Sequence, residues 1–254
     1  MASLAAKRVL VVAGIGNGTG TGASTARLFA KNGYNVAIIA RGDRFVQGLA
    51  NEINSSGGEA APFMVPSYSH DHLTAAWASI HKRFPKPEYT VRAAVFNVAY
   101  GVLRPFLDTT PQEVQESLDT NVAAAFSFAR GAILAFKDSD IEETNGARGT
   151  LIFTGSTRSI RGNVTTSAYA AGKWGSRALS QSLAKEFGPQ YIHVAHSIID
   201  GYRQREHRSA EWTDNEDVRL RPESIASSYL YLVNQDRSAW TWELVLRPAH
   251  GKLF

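Results

Sequence analysis

The chain has 254 residues, of which 44% are hydrophobic and 20% are charged, and its formal net charge is +4. This length suits one large α/β domain, and the composition is that of an ordinary globular protein. The absence of cysteine excludes disulfides and thiolate metal sites; we expect no metal site and a cytoplasmic protein. Apolar runs fall short of the roughly 18 residues of a membrane span, and basic residues alternate with acidic ones, so we predict neither a membrane nor a nucleic-acid partner.

Short apolar runs alternate with amphipathic segments of helical length along the whole chain. The predicted strands are residues 8–14, 35–40, 61–65, 93–99, 150–156, 193–199 and 241–247, and the predicted helices are 17–32, 43–56, 70–83, 111–136, 166–187 and 222–234. Nearly continuous apolar strands separated by helices indicate a parallel sheet covered on both faces. We therefore predict one α/β domain over residues 1–254, with a Rossmann-like doubly wound parallel sheet of about seven strands. Ligands should bind at the carboxyl ends of the strands.

Two polar stretches interrupt this alternation. Residues 138–149 carry no apolar periodicity, which predicts a solvated loop. Residues 201–221 form a longer polar connection that contains Tyr202 and Trp212. Long connections in a compact domain are usually functional or disordered, and this one leaves the carboxyl end of a predicted strand, so we predict a substrate lid.

A glycine-rich segment, AGIGNGTGTGAST, follows the first predicted strand and opens a helix. Glycines at this point allow a tight turn and let main-chain N–H groups approach a diphosphate, although turns also use glycine for its conformational freedom. No Gly-Lys-Ser/Thr follows, so the segment is not a Walker loop. Arg41 stands at the end of the second strand, where it either pairs with the 2′-phosphate of NADP(H) or is a solvated arginine. We favour NADP(H) as the cofactor.

Three side chains have a spacing that indicates acid–base chemistry. Tyr169 and Lys173 lie four residues apart in a predicted helix and so share one face, and Ser156 ends an apolar run thirteen residues before Tyr169. A lysine cation about 4 Å from a phenol favours the phenolate by roughly 4 kcal/mol before desolvation, which brings tyrosine toward the working range of general acid–base catalysis. A chance Tyr-x-x-x-Lys is expected roughly 0.3 times in such a chain, so the pair alone is weak evidence and could be a surface pair.

Taken in order along the chain, these motifs resemble the short-chain dehydrogenase/reductase family over essentially its whole length. The family's Gly-x-x-x-Gly-x-Gly fingerprint is matched at Gly14, Gly18 and Gly20. Asn97-Val98-Ala99-Tyr100 stands where the family has Asn-Asn-Ala-Gly, and Asn121 stands where it has a helix asparagine. Ser156, Tyr169 and Lys173 complete the family's catalytic set.

The resemblance implies a role for each of these residues. Tyr169 would protonate the substrate carbonyl, Lys173 would assist it and bind the nicotinamide ribose, and Ser156 would orient the carbonyl. Asn121 would hold a water molecule of the proton relay. The alternatives are a strand-end turn serine at Ser156 and a mid-helix asparagine bonded to the main chain at Asn121. The residues expected to bind the cofactor are Gly14, Gly16, Asn17, Gly18, Thr19, Gly20, Arg41, Ser67, Asn97, Ala99, Tyr169 and Lys173.

Several positions depart from the family pattern. Val98 and Tyr100 replace a family Asn and Gly near the cleft, and Ser67 replaces an Asp that faces the adenine. Asp200-Gly201 replaces Pro-Gly and is either a carboxylate near the nicotinamide or, as we prefer, a turn. Trp240 and Trp242 are expected in the core or at a subunit contact.

Substrate specificity should come from loops at the carboxyl ends of the strands. The candidates are Tyr100, Val102, Ser156, Thr157, Arg158, Tyr169, Tyr202 and Trp212. The aromatic residues at the mouth of the cleft favour an apolar aldehyde, ketone or quinone as the substrate. Arg158 could instead recognise an anionic substrate or form a salt bridge at the rim.

The predicted function is NADPH-dependent reduction of a small-molecule carbonyl, or alcohol oxidation in reverse. A non-catalytic NADP-binding regulator or scaffold, or an isomerase, epimerase or dehydratase that uses the same cleft, remain as alternatives. Residues 111–136 and 166–187 resemble the helices through which this family forms homodimers and homotetramers, although buried core helices would look the same.

Overall fold

The computed structural model describes residues 6–201 and 218–250. Seven strands form one sheet in the order β3-β2-β1-β4-β5-β6-β7, and every neighbouring pair is parallel. The strands are β1 (Lys7–Ala13), β2 (Asn35–Ala40), β3 (Ala60–Met64), β4 (Tyr89–Phe96), β5 (Gly149–Ser156), β6 (Ile192–Ile199) and β7 (Glu243–Leu246). The predicted doubly wound parallel sheet is confirmed.

Helices cover both faces of this sheet. They are α1 (Thr21–Lys31), α2 (Asp43–Ser55), α3 (His70–Arg83), α4 (Pro111–Leu118), α5 (Ala124–Lys137), α6 (Ser167–Phe187) and α7 (Pro222–Val233). The residues of β1 alternate between two apolar cores: Val9 and Val11 pack on the side of α3, α5 and α6, while Leu10 and Val12 pack on the side of α1, α2 and α7. Burial on both faces explains why these strands are apolar throughout.

Three departures from the predicted boundaries bear on the site. The first helix begins at Thr21 rather than at residue 17, because Gly16 and Gly18 have left-handed backbone angles that no helix accepts. The predicted helix 111–136 is divided by a π-helical turn at Asp119–Ala123. Strand β4 ends at Phe96, three residues before its predicted end, so that Asn97 lies in the loop beyond the sheet.

The sheet order reverses between β1 and β4, where the chain returns from β3 to the other side of β1. Such a switch point leaves a crevice at the carboxyl ends of the two strands, which is where ligands bind in open α/β sheets. The glycine-rich loop follows β1, and Asn97 follows β4. The Asn97 side chain donates from Nδ2 to Gly14 O at 2.7 Å and so connects the two loops.

In the described ranges 6–201 and 218–250, no helix has the length and apolar character needed to cross a membrane. The same part of the chain contains no cluster of three or more His, Asp or Glu side chains that could hold a metal ion.

Candidate active site

The loop between β1 and α1 depends on glycine for its shape. Gly14, Gly16 and Gly18 have φ angles of +88°, +60° and +88°, which residues with a Cβ rarely adopt. Gly18 N donates to Ile15 O at 3.1 Å, and Asn17 Oδ1 accepts the Thr19 hydroxyl at 2.7 Å. The hydrogen bond between the Asn17 and Thr19 side chains therefore helps to order the loop.

The N-terminus of α1 opens onto free space. Its N-cap, Gly20, offers no side chain to the first N–H groups, and the first turn contains no acidic residue. A Cβ atom placed on Gly16, Gly18 or Gly20 would meet nothing within 4 Å. Unpaired N–H groups at a helix N-terminus attract anions, so this cradle fits the diphosphate of a dinucleotide.

Gly22 is a residue that the sequence analysis missed. A Cβ on Gly22 would stand 2.1 Å from Gly14 O and 2.9 Å from Asn97 Nδ2, so only glycine lets α1 approach the end of β1 this closely. Close packing of helix on strand is the task of the third glycine in dinucleotide fingerprints. Gly20, which the motif match put in that place, has open space around it. The available signal was a glycine within the predicted helix 17–32, because glycine is unfavourable inside a helix unless packing requires it.

The end of β4 packs tightly against this loop. A Cβ on Gly14 would come within 2.9 Å of Val98 N, and Val98 is only 5% exposed. Val98 therefore fills core space between the loops. Asn97 keeps a buried Oδ1 without a hydrogen-bond partner among the described residues, while Ala99 follows at the partly exposed surface of the loop.

Arg41, after β2, and Ser67, after β3, differ in how accessible their side chains are to a cofactor. The exposed Arg41 guanidinium lies over the Tyr68 ring, 5.3 Å from its centroid, where it is accessible to a phosphate. Ser67 Oγ is instead engaged with His72 Nδ1 at 2.9 Å and accepts from Ser69 N at 3.3 Å. These bonds hold the turn into α3 and leave the hydroxyl poorly placed for the predicted contact with adenine.

Helix α6 carries Tyr169 and Lys173 on one face, one turn apart. Lys173 is 3% exposed, and its Nζ donates to Thr154 O on β5 at 3.0 Å. The partly exposed Tyr169 ring faces Gly101 in the loop after β4, where an added Cβ would lie 3.7 Å from the ring. The Lys173 side chain is therefore buried in the protein interior, whereas the Tyr169 phenol lies at the crevice.

Asn121 is held in the π-helical turn between α4 and α5. Its Nδ2 donates to Tyr100 O at 2.8 Å and to Ser117 O at 2.9 Å, and because both acceptors are carbonyls the orientation of the amide is fixed. Its Oδ1 is buried and has no partner within the described ranges, so it can accept from a water molecule. Single π-helical turns occur frequently at functional sites.

Close packing fixes this turn against α6. A Cβ on Gly172 would lie 2.8 Å from Ser117 Oγ and 3.0 Å from Asn121 Nδ2. Ser117 Oγ in turn donates to Ala168 O on α6 at 2.8 Å. Gly172, between Tyr169 and Lys173 in sequence, therefore sets the distance between α6 and Asn121.

Ser156 ends β5 as the N-cap of a short 3₁₀ turn. Its Oγ accepts from Arg158 N at 3.2 Å, and its own N–H donates to Ser159 Oγ at 3.2 Å. The serine is thus both a turn residue and a partly exposed hydroxyl whose proton remains available to a substrate. Thr157 and Arg158 lie partly exposed in the same turn.

Tyr100 leaves β4 toward α4. Burial raises the pKa of Tyr100, and the carboxylates of Glu116 and Glu113 raise it further. Its phenol therefore remains a hydrogen-bond donor at neutral pH, at the rim of the crevice next to Gly101.

His196, on β6, is a buried group that no sequence motif indicated. It is fully buried, both ring nitrogens are without a hydrogen-bond partner in the described residues, and a Cβ on Gly155 would be 2.2 Å from its Nε2. Burial lowers the pKa of His196 to about 3, with a further contribution from the positive charge of Lys173. The imidazole is therefore neutral beneath α6.

Comparison with known proteins identifies the group to which the chain belongs. The family model for short chain dehydrogenases matches residues 8–211. The chain is 27% identical over 184 residues to the 3-oxoacyl-[acyl-carrier-protein] reductase of Bos taurus, covering 72% of each protein. Its fold is similar to that of a short-chain dehydrogenase from Rhodopseudomonas palustris, with a TM-score of 0.77, 29% identity and coverage of 95% of this chain and 99% of the other. It is also similar to a metagenomic short-chain oxidoreductase in complex with NADP, with a TM-score of 0.75, 23% identity and coverage of 96% and 98%.

The chain belongs to the short-chain dehydrogenase family. The family predicted from the motifs is therefore confirmed, and the protein is an oxidoreductase of this family. The roles of individual residues remain predictions, supported by the geometry described above.

Some of the remaining predicted residues of this short-chain dehydrogenase lie outside the described ranges, and the others lie within them. Tyr202 and Trp212, and with them most of the predicted lid, lie outside the described residues. Asp200 accepts from Arg247 Nε at 2.9 Å, so its carboxylate is engaged at the end of β7. Trp240 stacks on His193 with 5.0 Å between ring centroids, whereas Trp242 is 46% exposed.

Proposed function

We propose that the chain is an NADP(H)-dependent oxidoreductase that reduces the carbonyl group of an aldehyde, ketone or quinone to an alcohol, or catalyses the reverse oxidation. The observation that carries this proposal is the position of α6. Its Lys173 is buried against the β5 main chain and its Tyr169 faces Gly101 at the crevice, one helical turn away. One helical turn is the spacing at which a lysine can assist a phenol in proton transfer.

The cofactor is NADP(H), bound along the crevice between the loops after β1 and β4. The open N-terminus of α1 receives the diphosphate, and the exposed Arg41 pairs with the 2′-phosphate. Asn97 ties the two loops together beneath the dinucleotide. Ala99 lies at the exposed side of the same loop.

The side chains of the chain have distinct tasks in the reduction. Tyr169 donates its phenolic proton to the carbonyl oxygen, and Ser156 donates a hydrogen bond to the same oxygen, so both stabilise the developing alkoxide. Lys173 stabilises the phenolate left on Tyr169. Asn121 holds, through its free Oδ1, a water molecule that returns a proton toward Lys173. When bound, the nicotinamide supplies the hydride that reaches the carbonyl carbon.

The substrate is a small molecule with an apolar body. The rim of the crevice presents the protonated phenol of Tyr100, and Arg158 stands at the opposite turn after β5. Val102 continues the same loop beyond Gly101. A ketone substrate agrees with the similarity to the bovine relative, a 3-oxoacyl reductase.

The experiment is a turnover assay with NADPH and a panel of aldehydes, ketones and quinones, followed by the Tyr169→Phe variant. We expect kcat to fall by at least about 100-fold in the variant, because general acid catalysis contributes 10²–10⁴-fold. The Kd for NADPH, measured by fluorescence titration, should change little.

Tyr231→Phe is the matched control, since this tyrosine is 60% exposed on α7, and it should keep full turnover. Unchanged turnover in Tyr169→Phe would reject the assigned acid. Binding of NADPH without oxidation by any carbonyl would instead favour a regulator or scaffold. Conversion of a substrate without net oxidation would favour an isomerase, epimerase or dehydratase.

We also propose that residues 1–254 form one domain with a substrate lid around residues 201–221, and that the protein is a cytoplasmic homodimer or homotetramer. Support for assembly comes from large apolar side chains left exposed on α5 and α6. Phe126 is 57% exposed, Leu134 52% and Trp174 44%. Gel filtration with light scattering tests the oligomeric state.

A further inference from the structure

The Arg27 side chain lies beside the glycine loop and has no part in the chemistry proposed above. From α1, its Nη1 donates to Gly18 O at 2.9 Å. Its Nε and Nη2 donate to the two carboxylate oxygens of Glu52 on α2, at 2.6 and 2.7 Å. A guanidinium that donates two hydrogen bonds to one carboxylate is held in a fixed plane. Arg27 therefore connects the carbonyl of Gly18 to a rigid neighbouring helix.

The peptide unit between Gly18 and Thr19 needs such an anchor. Its orientation depends on ψ of Gly18 and φ of Thr19, and glycine restricts ψ less than other residues do, so the Gly18 side of the unit does little to fix it. Across a trans peptide the C=O and N–H groups point in opposite directions. The Thr19 N–H of this unit donates to Asn17 Oδ1 at 3.3 Å. A unit that turned over would lose that bond and would present its carbonyl oxygen on the side of the loop away from Arg27. A carbonyl there would repel an anion that the loop binds through N–H groups.

The charge of Arg27 is already used within the protein. Glu52 holds the guanidinium in two hydrogen bonds, and the nearby carboxylate of Glu223, which accepts from Ser24 Oγ at 2.9 Å, also acts on Arg27 electrostatically. The Arg27 and Glu52 side chains are 33% and 50% exposed, and ion pairs this exposed add little to stability. The Arg27–Glu52 pair thus fixes the orientation of the Gly18 carbonyl group. It supplies neither much stability nor a free positive charge.

We propose that Arg27, held by Glu52, is a positioning residue that keeps the Gly18–Thr19 peptide unit oriented for the diphosphate of the cofactor. The inference rests on the proposed placement of NADP(H) at this loop. It also predicts that the orientation matters equally for any nicotinamide dinucleotide, because the diphosphate is common to NADPH and NADH.

The test is a titration of NADPH and of NADH by fluorescence, with kcat measured at saturating NADPH. In Arg27→Met we expect the Kd of both cofactors to rise by the same factor, about fivefold, the typical net contribution of one hydrogen bond at a partly exposed site. The kcat should stay within about twofold of the wild type, because the reacting groups are on other elements. In Arg27→Lys, which reaches one acceptor only, the rise should be smaller.

The Glu52→Gln variant separates positioning from direct charge attraction. If Arg27 acts by position, loosening its grip weakens the binding of both cofactors, by about twofold. If Arg27 binds phosphate directly, freeing it from Glu52 would tighten NADPH binding, and Arg27→Met would weaken NADPH far more than NADH. Either of those last results would overturn the proposal.

Arg83→Met is the matched control, since Arg83, at the end of α3, pairs with Glu59 at 2.6 Å and not with the glycine loop. It should leave both Kd values unchanged; an equal rise there would overturn the proposal. Should Arg27→Met fail to fold by circular dichroism, Arg27→Lys and Glu52→Gln decide. A wild-type protein that bound neither cofactor would reject the placement of the dinucleotide itself, whereas normal wild-type binding with unchanged variants would reject only the role of Arg27.

Discussion

The two halves of the proposed active site are built in opposite ways. The nucleotide half, after β1, is a loop of main-chain groups in open space, where a Cβ on Gly16, Gly18 or Gly20 would touch nothing. The catalytic half, around α6, consists of side chains packed so closely that a Cβ on Gly172 would press on Ser117 and Asn121.

This difference follows from what each half must recognise. A diphosphate is bound by N–H groups, so the loop must leave its surface bare and keep its peptide units oriented. A proton must be transferred over a hydrogen-bond distance, so the side chains of Tyr169, Lys173 and Asn121 must be held by packing. Substitutions in the first half should therefore change cofactor affinity, and those in the second should change turnover.

The largest expected effect comes from breaking the closest packing in the nucleotide half, at Gly22. In Gly22→Ala the new Cβ meets the Gly14 carbonyl at 2.1 Å, a main-chain atom that cannot move without shifting β1. Overpacking of this kind costs up to about 3 kcal/mol, so we expect a fall of that order in the free energy of unfolding measured with urea. NADPH binding should weaken as well.

Gly48→Ala is the control for this variant. Gly48 lies in the middle of α2, and a Cβ there would meet no atom within 4 Å. Alanine is a better helix former than glycine, so Gly48→Ala should be neutral or slightly stabilising. A Gly22→Ala protein as stable as Gly48→Ala would show that α1 can move away from β1 freely.

The second variant tests the catalytic half. Gly172→Ala places a methyl group 2.8 Å from Ser117 Oγ and 3.0 Å from Asn121 Nδ2. We expect a loss of about 2 kcal/mol in the free energy of unfolding. Displacement of Asn121 from its position should lower kcat about tenfold, while the Kd for NADPH stays unchanged. Weaker NADPH binding with normal kcat would contradict the division into two halves.

The comparison also explains how far the sequence could predict this molecule. The sheet, its strands and the family follow from apolar runs and fixed spacings, which act over a few residues and are visible in the chain. Gly22 and Arg27 escaped notice because their importance lies in contacts with Gly14 and with Gly18 and Glu52, which only the packing of α1 reveals. The bonds of Ser67 to Ser69 and His72 were hidden for the same reason.

Interruption of the predicted helix 111–136 is a further example. Its sequence is compatible with a continuous helix, and nothing local predicts the π-helical turn at Asp119–Ala123. The turn is favoured by tertiary contacts: Asn121 bonds to Tyr100 O in another loop, and α6 approaches through Gly172. Motif spacing found Asn121, but its fixed orientation could not be derived from the chain alone.

The smallest expected effect concerns acid stability, which we assign to the catalytic half. His196 is fully buried beneath α6 with a pKa of about 3, against 6.5 for an ordinary histidine. Between these two values the unfolded chain binds a proton at His196 that the folded protein does not. The stability that the neutral imidazole allows is therefore present above about pH 6.5 and is lost progressively as the pH falls.

The His196→Leu variant removes this proton uptake. From pH 6.5 to pH 5, the wild type should lose about 1.5 kcal/mol of unfolding free energy that His196→Leu retains, as urea titrations at the two pH values would measure. Equal acid sensitivity in wild type and His196→Leu would mean that the imidazole is protonated within the fold. A second positive charge would then lie near Lys173, and the proposed electrostatics of the catalytic half would need revision.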